Sequence, residues 1–109
     1  MRSLAVEFGG LGLTVNAIVP GWFATESNAE FVAREDIQTF IRTRIPARRW
    51  GQPEEIGAAA DLLASTAASY INGLILTVDG GLSVSFLTSQ PPCRGGGGLT
   101  TGQGVIIPV

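Results

Sequence analysis

The sequence predicts an α/β domain with a doubly wound parallel sheet, and three observations point there. Two short apolar runs, 13–19 and 74–78, are rich in β-branched residues and lack polar alternation, the pattern of strands covered on both faces. Helical periodicity fills the chain between them, so the second strand returns beside the first by a crossover and pairs in parallel. Pro20-Gly21 and Asp79-Gly80-Gly81 close the two runs with turn residues. Two strands do not make a free-standing sheet of this kind. The pattern is therefore that of the last two strands of a larger sheet, with their helices, and the earlier strands absent.

Composition narrows the chemistry. At 109 residues the chain holds at most one small domain, and 45% hydrophobic against 15% charged residues is an apolar balance for that length, because small domains have much surface to cover. A net charge of −2 gives no pull towards nucleic acid or an anionic membrane. No apolar run approaches the ~20 residues of a membrane span, and the amino terminus has no signal-peptide pattern; the expectation is a soluble, cytoplasmic protein. Histidine is absent, which excludes Ser-His-Asp and Cys-His catalysis. The single cysteine, Cys93, permits neither an internal disulfide nor a thiolate-rich metal site, so no metal is expected. All seven basic residues are arginines, leaving no lysine for a Schiff base.

In chain order, Leu4, Ala5 and Phe8 share one face of a helix over 1–8, which Gly9-Gly10 stops. Gly9-Gly10-Leu11-Gly12 follows a helix and precedes a strand, the reverse of a phosphate-binding loop, and reads as a connecting turn. The first strand, 13–19, ends at Pro20-Gly21. Proline removes a donor there, and glycine allows a sharp turn and close approach. Ligands of open α/β sheets bind just beyond the carboxyl ends of strands, so Thr14–Thr25 is the stretch around which a site would be organised. Thr25 suits a helix N-cap. A short helix fits Ser27–Ala33. A better one fits Asp36–Arg44, with Ile37, Phe40 and Ile41 on adjacent turns. That helix either packs on the core or serves as a movable apolar cover over the site.

Arg42, Arg44, Arg48 and Arg49 read as a solvated face, with phosphate or carboxylate recognition as the alternative. Pro46 ends the helix. Gly51-Gln52-Pro53-Glu54-Glu55 opens the next, with proline in the first turn and carboxylates at the positive end of the dipole. Ile56, Ala59, Ala60, Leu63 and Ala67 carry its period to about residue 68. Small residues dominate that face, so a strand of the same sheet or a helix of a second subunit can lie close. Asn72-Gly73 turns the chain into the strand 74–78. Residues 87–109, with Pro91-Pro92-Cys93-Arg94 and glycines 95–98, cannot make a packed element and are expected to form a flexible tail.

Four motifs stand in order along these elements: Arg2-Ser3-Leu4-Ala5-Val6-Glu7; Val15-Asn16-Ala17-Ile18-Val19-Pro20-Gly21 with Thr25; Arg48-Arg49-Trp50-Gly51-Gln52-Pro53-Glu54-Glu55-Ile56; and Ile71-Asn72-Gly73 through Val78-Asp79-Gly80-Gly81. Each is modest alone, but together they resemble the carboxyl-terminal part of the short-chain dehydrogenase/reductase family. The resemblance covers about Arg2 to Phe86. It makes 1–86 the carboxyl-terminal part of a Rossmann-like domain and leaves 87–109 outside. Gly21-Trp22-Phe23-Ala24-Thr25-Glu26 and Pro46-Ala47-Arg48-Arg49-Trp50-Gly51 are most similar to gluconate 5-dehydrogenase-type sugar or polyol oxidoreductases. Glucose dehydrogenases and 3-oxoacyl-carrier-protein reductases share much of the pattern.

The resemblance implies NAD or NADP as cofactor. Pro20 and Gly21 would form the turn facing the nicotinamide, while the Phe23 backbone and Thr25 side chain would hold its carboxamide or nearby phosphate oxygens. Residues 26–45 would match the family's substrate-covering helices. Residues 53–81 would lie at the usual subunit interface, implying a homo-oligomer. The partner in the parent enzyme would be a small-molecule substrate, with no nucleic acid and no membrane. The family's glycine-rich loop, asparagine, serine and Tyr-x-x-x-Lys pair would all lie upstream of Met1. Tyr70 has Leu74 four residues on and the chain has no lysine, so it cannot supply the Tyr-x-x-x-Lys acid/base pair that the family mechanism needs. No catalytic residue is assigned. The expectation is a fragment of an NAD(P)-dependent oxidoreductase, inactive alone. The alternatives are a non-catalytic assembly subunit docking on full-length homologues, or a parent of the 3-oxoacyl-carrier-protein reductase type.

Overall fold

Strands β1 (Ala17–Pro20) and β2 (Ile75–Val78) pair in parallel, Ala17 opposite Ile75 and Pro20 opposite Val78, as the two apolar runs predict. They belong to a computed structural model that describes residues 1–85; the tail expected at 87–109 lies outside the described residues. Helix α1 (Arg2–Gly9) precedes β1, and α2 (Ala29–Ala33), α3 (Glu35–Arg44) and α4 (Pro53–Ala64) make the crossover, with single 3-10 turns at Glu26–Asn28, Thr66–Ala68 and Leu82–Val84. No helix among the described residues is long and apolar enough to cross a membrane.

Two asparagines stitch the strand entrances together. Asn72 Oδ1 accepts from the Val15 N–H at 2.9 Å, and its Nδ2 donates to the Ala5 carbonyl at 2.9 Å. Asn16 answers in kind, donating to the Ile71 carbonyl and accepting from the Leu74 N–H, both at 2.9 Å. This explains why β1 starts at Ala17 and not at residue 13. The Val15 amide bonds a side chain in place of a ladder carbonyl, so regular pairing begins only beyond the stitch. Replacing Asn72→Ala leaves a backbone donor and a carbonyl without these partners. We expect a loss of about 1–2 kcal/mol in urea unfolding, and an unchanged midpoint would refute the stitch.

Within these residues alone the strands are only partly covered: Val19 is 45% and Ile75 47% exposed. Among the described residues α4 lies against β1, and one helix on a two-stranded ribbon cannot cover both sides. The best-buried cluster sits elsewhere. Ile41, Ile45 and Trp50 are fully or nearly buried, packed by Trp22, Phe31, Ile37 and Phe40. The stripe on α3 thus packs inward. Trp22 is its hub, stacked on Phe31 at 5.9 Å, tilted on Phe40 at 5.2 Å and edge-on to Trp50 at 5.7 Å.

Beyond α3, Arg48 takes a left-handed conformation (φ 57°), letting the chain turn from Ile45 to Trp50. Arg49 forms a two-pronged pair with Glu55, at 3.0 and 2.7 Å, and Glu55 Oε2 also accepts the Gln52 N–H at 2.7 Å. These bonds, with Pro53 at the start, set where α4 begins. The helix ends at Ala64, short of residue 68, because Ser65 is extended and its hydroxyl bonds back to the Leu62 carbonyl at 2.7 Å. That local bond competes with helix continuation.

The Arg49 hydrogen bond, then the Gln52 amide, hold the Glu55 carboxyl down from 4.5 to about 2. A depressed folded-state value stabilises above the unfolded value and loses its effect as pH falls towards the folded one. The melting-temperature gap between wild type and Glu55→Gln should therefore be full above pH 4.5 and close as pH falls to about 2. A gap independent of pH would show that the pair does not act this way.

Candidate functional site

The site starts where β1 stops. The Gly21 N–H continues the ladder to the Val78 carbonyl at 2.9 Å. A Cβ on Gly21 would stand 2.6 Å from Asp79 Cβ and 2.7 Å from its Cα, so only glycine lets the ends of β1 and β2 come this close. The chain then runs past Gly51. The Gly51 N–H donates to the Trp22 carbonyl at 2.9 Å, and the Ala24 N–H to the Gly51 carbonyl at 3.0 Å. The Phe23 ring fills the space where a Gly51 side chain would begin, 2.5 Å from that point.

Thr25 stands at the N-cap position of the following turn, as expected, and shares a reciprocal capping box with Asn28. Asn28 Oδ1 reaches back to accept the Thr25 N–H at 2.7 Å, and Asn28 Nδ2 donates to the Phe23 carbonyl at 2.9 Å. The Thr25 hydroxyl pairs with Ser27 at 3.0 Å. Asn28 was missed in the sequence, although a polar residue three positions after a threonine is the signal of a reciprocal cap.

On the facing strand end, Asp79 accepts the Gly81 and Ser83 N–H groups at 2.9 and 2.8 Å. Burial pushes its carboxyl up, but the hydrogen bonds from Ser83 and Gly81 outweigh that and the net shift is downward. It is an anion fixed by its own loop. Gly80 and Gly81 both have positive φ, so the turn can wrap back towards Ile45 and Pro46.

These pieces surround one cleft of about 860 Å³, and Pro20, Gly21, Phe23 and Thr25 all line it. The structure thus brings the four cofactor-binding candidates together. Trp22, Phe31 and Trp50 give it an aromatic wall, and Asp79 is the one charged side chain among the lining residues. The Gly21, Ala24 and Thr25 amides are engaged as described, whereas the Phe23 N–H makes no hydrogen bond among the described residues. The indole nitrogen of Trp50 is buried without a partner among them. Such a donor costs about 1–3 kcal/mol. Arg49, in the expected arginine group, is taken by Glu55. Tyr70 is fully exposed and does not line the cleft. No group of three His, Cys, Asp or Glu among the described residues can hold a metal ion.

A cleft at the carboxyl ends of parallel strands, closed by a Pro-Gly turn, defines a class that comparison with known proteins bears out. Residues 1–83 match the family described as enoyl-(acyl carrier protein) reductase, and the chain belongs to the short-chain dehydrogenase/reductase family. It is 45% identical over 84 residues to a gluconate 5-dehydrogenase of Gluconobacter oxydans, covering 77% of this chain and 33% of that protein. It is 47% identical over 83 residues to a galactitol 2-dehydrogenase (L-tagatose-forming) of Cereibacter sphaeroides, covering 76% and 33%. The solved structure of a gluconate 5-dehydrogenase from Burkholderia cenocepacia, in complex with NADP and tartrate, superposes with a TM-score of 0.69 at 37% identity, over 76% of this chain and 32% of that one. The chain spans about a third of the length of the curated relatives it matches.

Proposed function

We propose that the chain forms one wall of the NAD(P) site of a short-chain oxidoreductase whose substrate is a sugar acid, a polyol or a similar hydroxyl or carbonyl compound. The observation that carries this is the meeting of Pro20, Gly21, Phe23 and Thr25 in one cleft beyond β1. The fit is supported by a backbone donor at Phe23 that the described residues leave unused, by the bare Gly21 at the strand ends, and by the NADP in a relative's structure.

In this reading Pro20 and Gly21 form the turn under the nicotinamide. The Phe23 N–H and Thr25 hydroxyl hold its carboxamide or neighbouring phosphate oxygens, which fixes the ring face offered to the substrate. The bound cofactor supplies the hydride chemistry. Helices α2 and α3 cover the site and shed water. Residues 53–81 carry homo-oligomer contacts, as the exposure of Leu62, Leu74 and Ile75 supports. The catalytic acid/base sits on polypeptide outside these 109 residues, and the protein works in the cytoplasm.

The test uses the native gene product and the 109-residue chain in parallel, with D-gluconate or galactitol and NAD or NADP. The chain alone should give no turnover. If its intact mass shows the native product to be longer, that product should be active, and Thr25→Val should raise KM for the cofactor about tenfold, the weight of one hydrogen bond. Robust turnover by the 109-residue chain, or cofactor kinetics indifferent to Thr25→Val, would overturn the reading. The exposed strand faces also favour a second reading, a subunit docking on full-length homologues, which co-purification with a longer relative would support.

A further inference from the structure

We infer that the indole N–H of Trp50 is a substrate-binding donor, taking a neutral hydroxyl or carbonyl oxygen of a polyhydroxy ligand in the cleft, a step that rests on the functional reading above. Trp50 is 8% exposed and lines the cleft, and its Nε1 is the one buried side-chain polar atom without a partner among the described residues. Buried donors are nearly always paired. Phenylalanine would fill much of the same space beside Ile41 and Ile45 and leave no donor behind. The N–H is therefore better explained by an acceptor that arrives with a ligand.

The kind of acceptor follows from the lining. Among the described residues that line the cleft, Asp79 is the one charged side chain and none is a cation. An uncharged oxygen meets no repulsion from Asp79, and a carboxylate or phosphate carried by the same ligand must lie away from that side chain. The rings of Trp22 and Phe31, 5.7 and 6.4 Å from Trp50, offer apolar surface for the C–H side of a polyol chain. They also pack on the indole, so the donor becomes available when these rings shift.

Trp22 and Trp50 are the chain's only tryptophans, so a 1H–15N spectrum of the 109-residue chain contains two indole signals, and Trp22→Phe identifies the one from Trp50. In the ligand-free chain that signal should sit upfield of a hydrogen-bonded indole. NADP should move the Thr25 and Ser83 amides but leave the indole in place. Galactitol or D-gluconate, added to the NADP-saturated chain, should shift the indole downfield in a saturable way. Trp50→Phe should weaken that binding about tenfold, read from the Thr25 amide, as for the loss of one hydrogen bond.

If the amides respond to both polyhydroxy ligands but the indole does not, or if Trp50→Phe binds them equally well, the inference falls and the functional reading stands. An indole signal fixed far upfield by a neighbouring ring face, or already hydrogen-bonded without ligand, also overturns it. So do two indole signals together at the position of a solvent-exposed side chain, since the aromatic cluster is then unformed. If neither NADP nor the polyhydroxy ligands move any cleft resonance, the indole binds neither and the inference falls, whereas the functional reading is decided by the cofactor kinetics of the native product.

Discussion

Ile41→Ala should destabilise the chain by about 2–5 kcal/mol, the range for deleting a buried aliphatic side chain whose cavity cannot collapse. Ile41 is 1% exposed, and the surroundings leave little room for adjustment. Trp22, Phe31, Phe40 and Trp50 contact one another as rigid rings around it, and flat rings cannot flow into a vacated space as a methionine can. Ile41→Val, with one methylene removed, should cost about 0.5–1.5 kcal/mol. Chemical denaturation followed by tryptophan emission measures both. A loss below 1 kcal/mol for the alanine variant would mean that the aromatic cluster is not the main core of these residues.

Gly21→Ala is the second large effect, and it acts by crowding. The new methyl would lie 2.6 Å from Asp79 Cβ and 2.7 Å from Asp79 Cα, well inside contact distance. Asp79 Cα and the Cβ fixed to it cannot rotate away, so the ends of β1 and β2 must part. Overpacking of this kind costs about 1–3 kcal/mol and occasionally more. Separation would also break the bond from the Gly21 N–H to the Val78 carbonyl and reshape the floor of the cleft. We expect a loss near 3 kcal/mol, read by thermal unfolding, together with weaker cofactor binding in the native product. Gly10→Ala is the control, since nothing lies within 4 Å of a Cβ there. If both variants melt alike, the close approach at Gly21 carries no weight.

Local signals in the sequence were legible where local forces decide. Pro53 with Glu54 and Glu55 marks the start of α4, because both the free first-turn position and the dipole act within a few residues. The spacing of Ile37, Phe40 and Ile41 locates α3 and its apolar stripe, though not whether that stripe faces the core or the site. Parallel pairing followed from two unalternating runs with helices between them. The illegible parts depend on contacts between distant residues. Ile45 and Trp50 are buried outside any regular element, where no period exists to reveal them. The Asn16–Asn72 stitch joins residues that nothing in either neighbourhood ties together. In the site, Pro20, Gly21, Phe23 and Thr25 were named from motifs and meet in one cleft. Asn28, which braces Thr25 and Phe23, went unnoticed because its role lies in supporting the loop.

The asparagine stitch also sets an order of events as the chain emerges. Its bonds join partners 55 to 67 positions apart, whereas the aromatic cluster draws mainly on residues between Trp22 and Trp50. Closing the shorter loops costs less entropy and is rewarded sooner. Synthesis proceeds from the amino end, so the cluster can condense while β2 is still unmade, and β1 waits with its hydrogen-bonding edge open. During that interval Ile18 and Val19 are available to any other strand that passes, and a chaperone or a neighbouring strand has its opening before Asn72 arrives to close it.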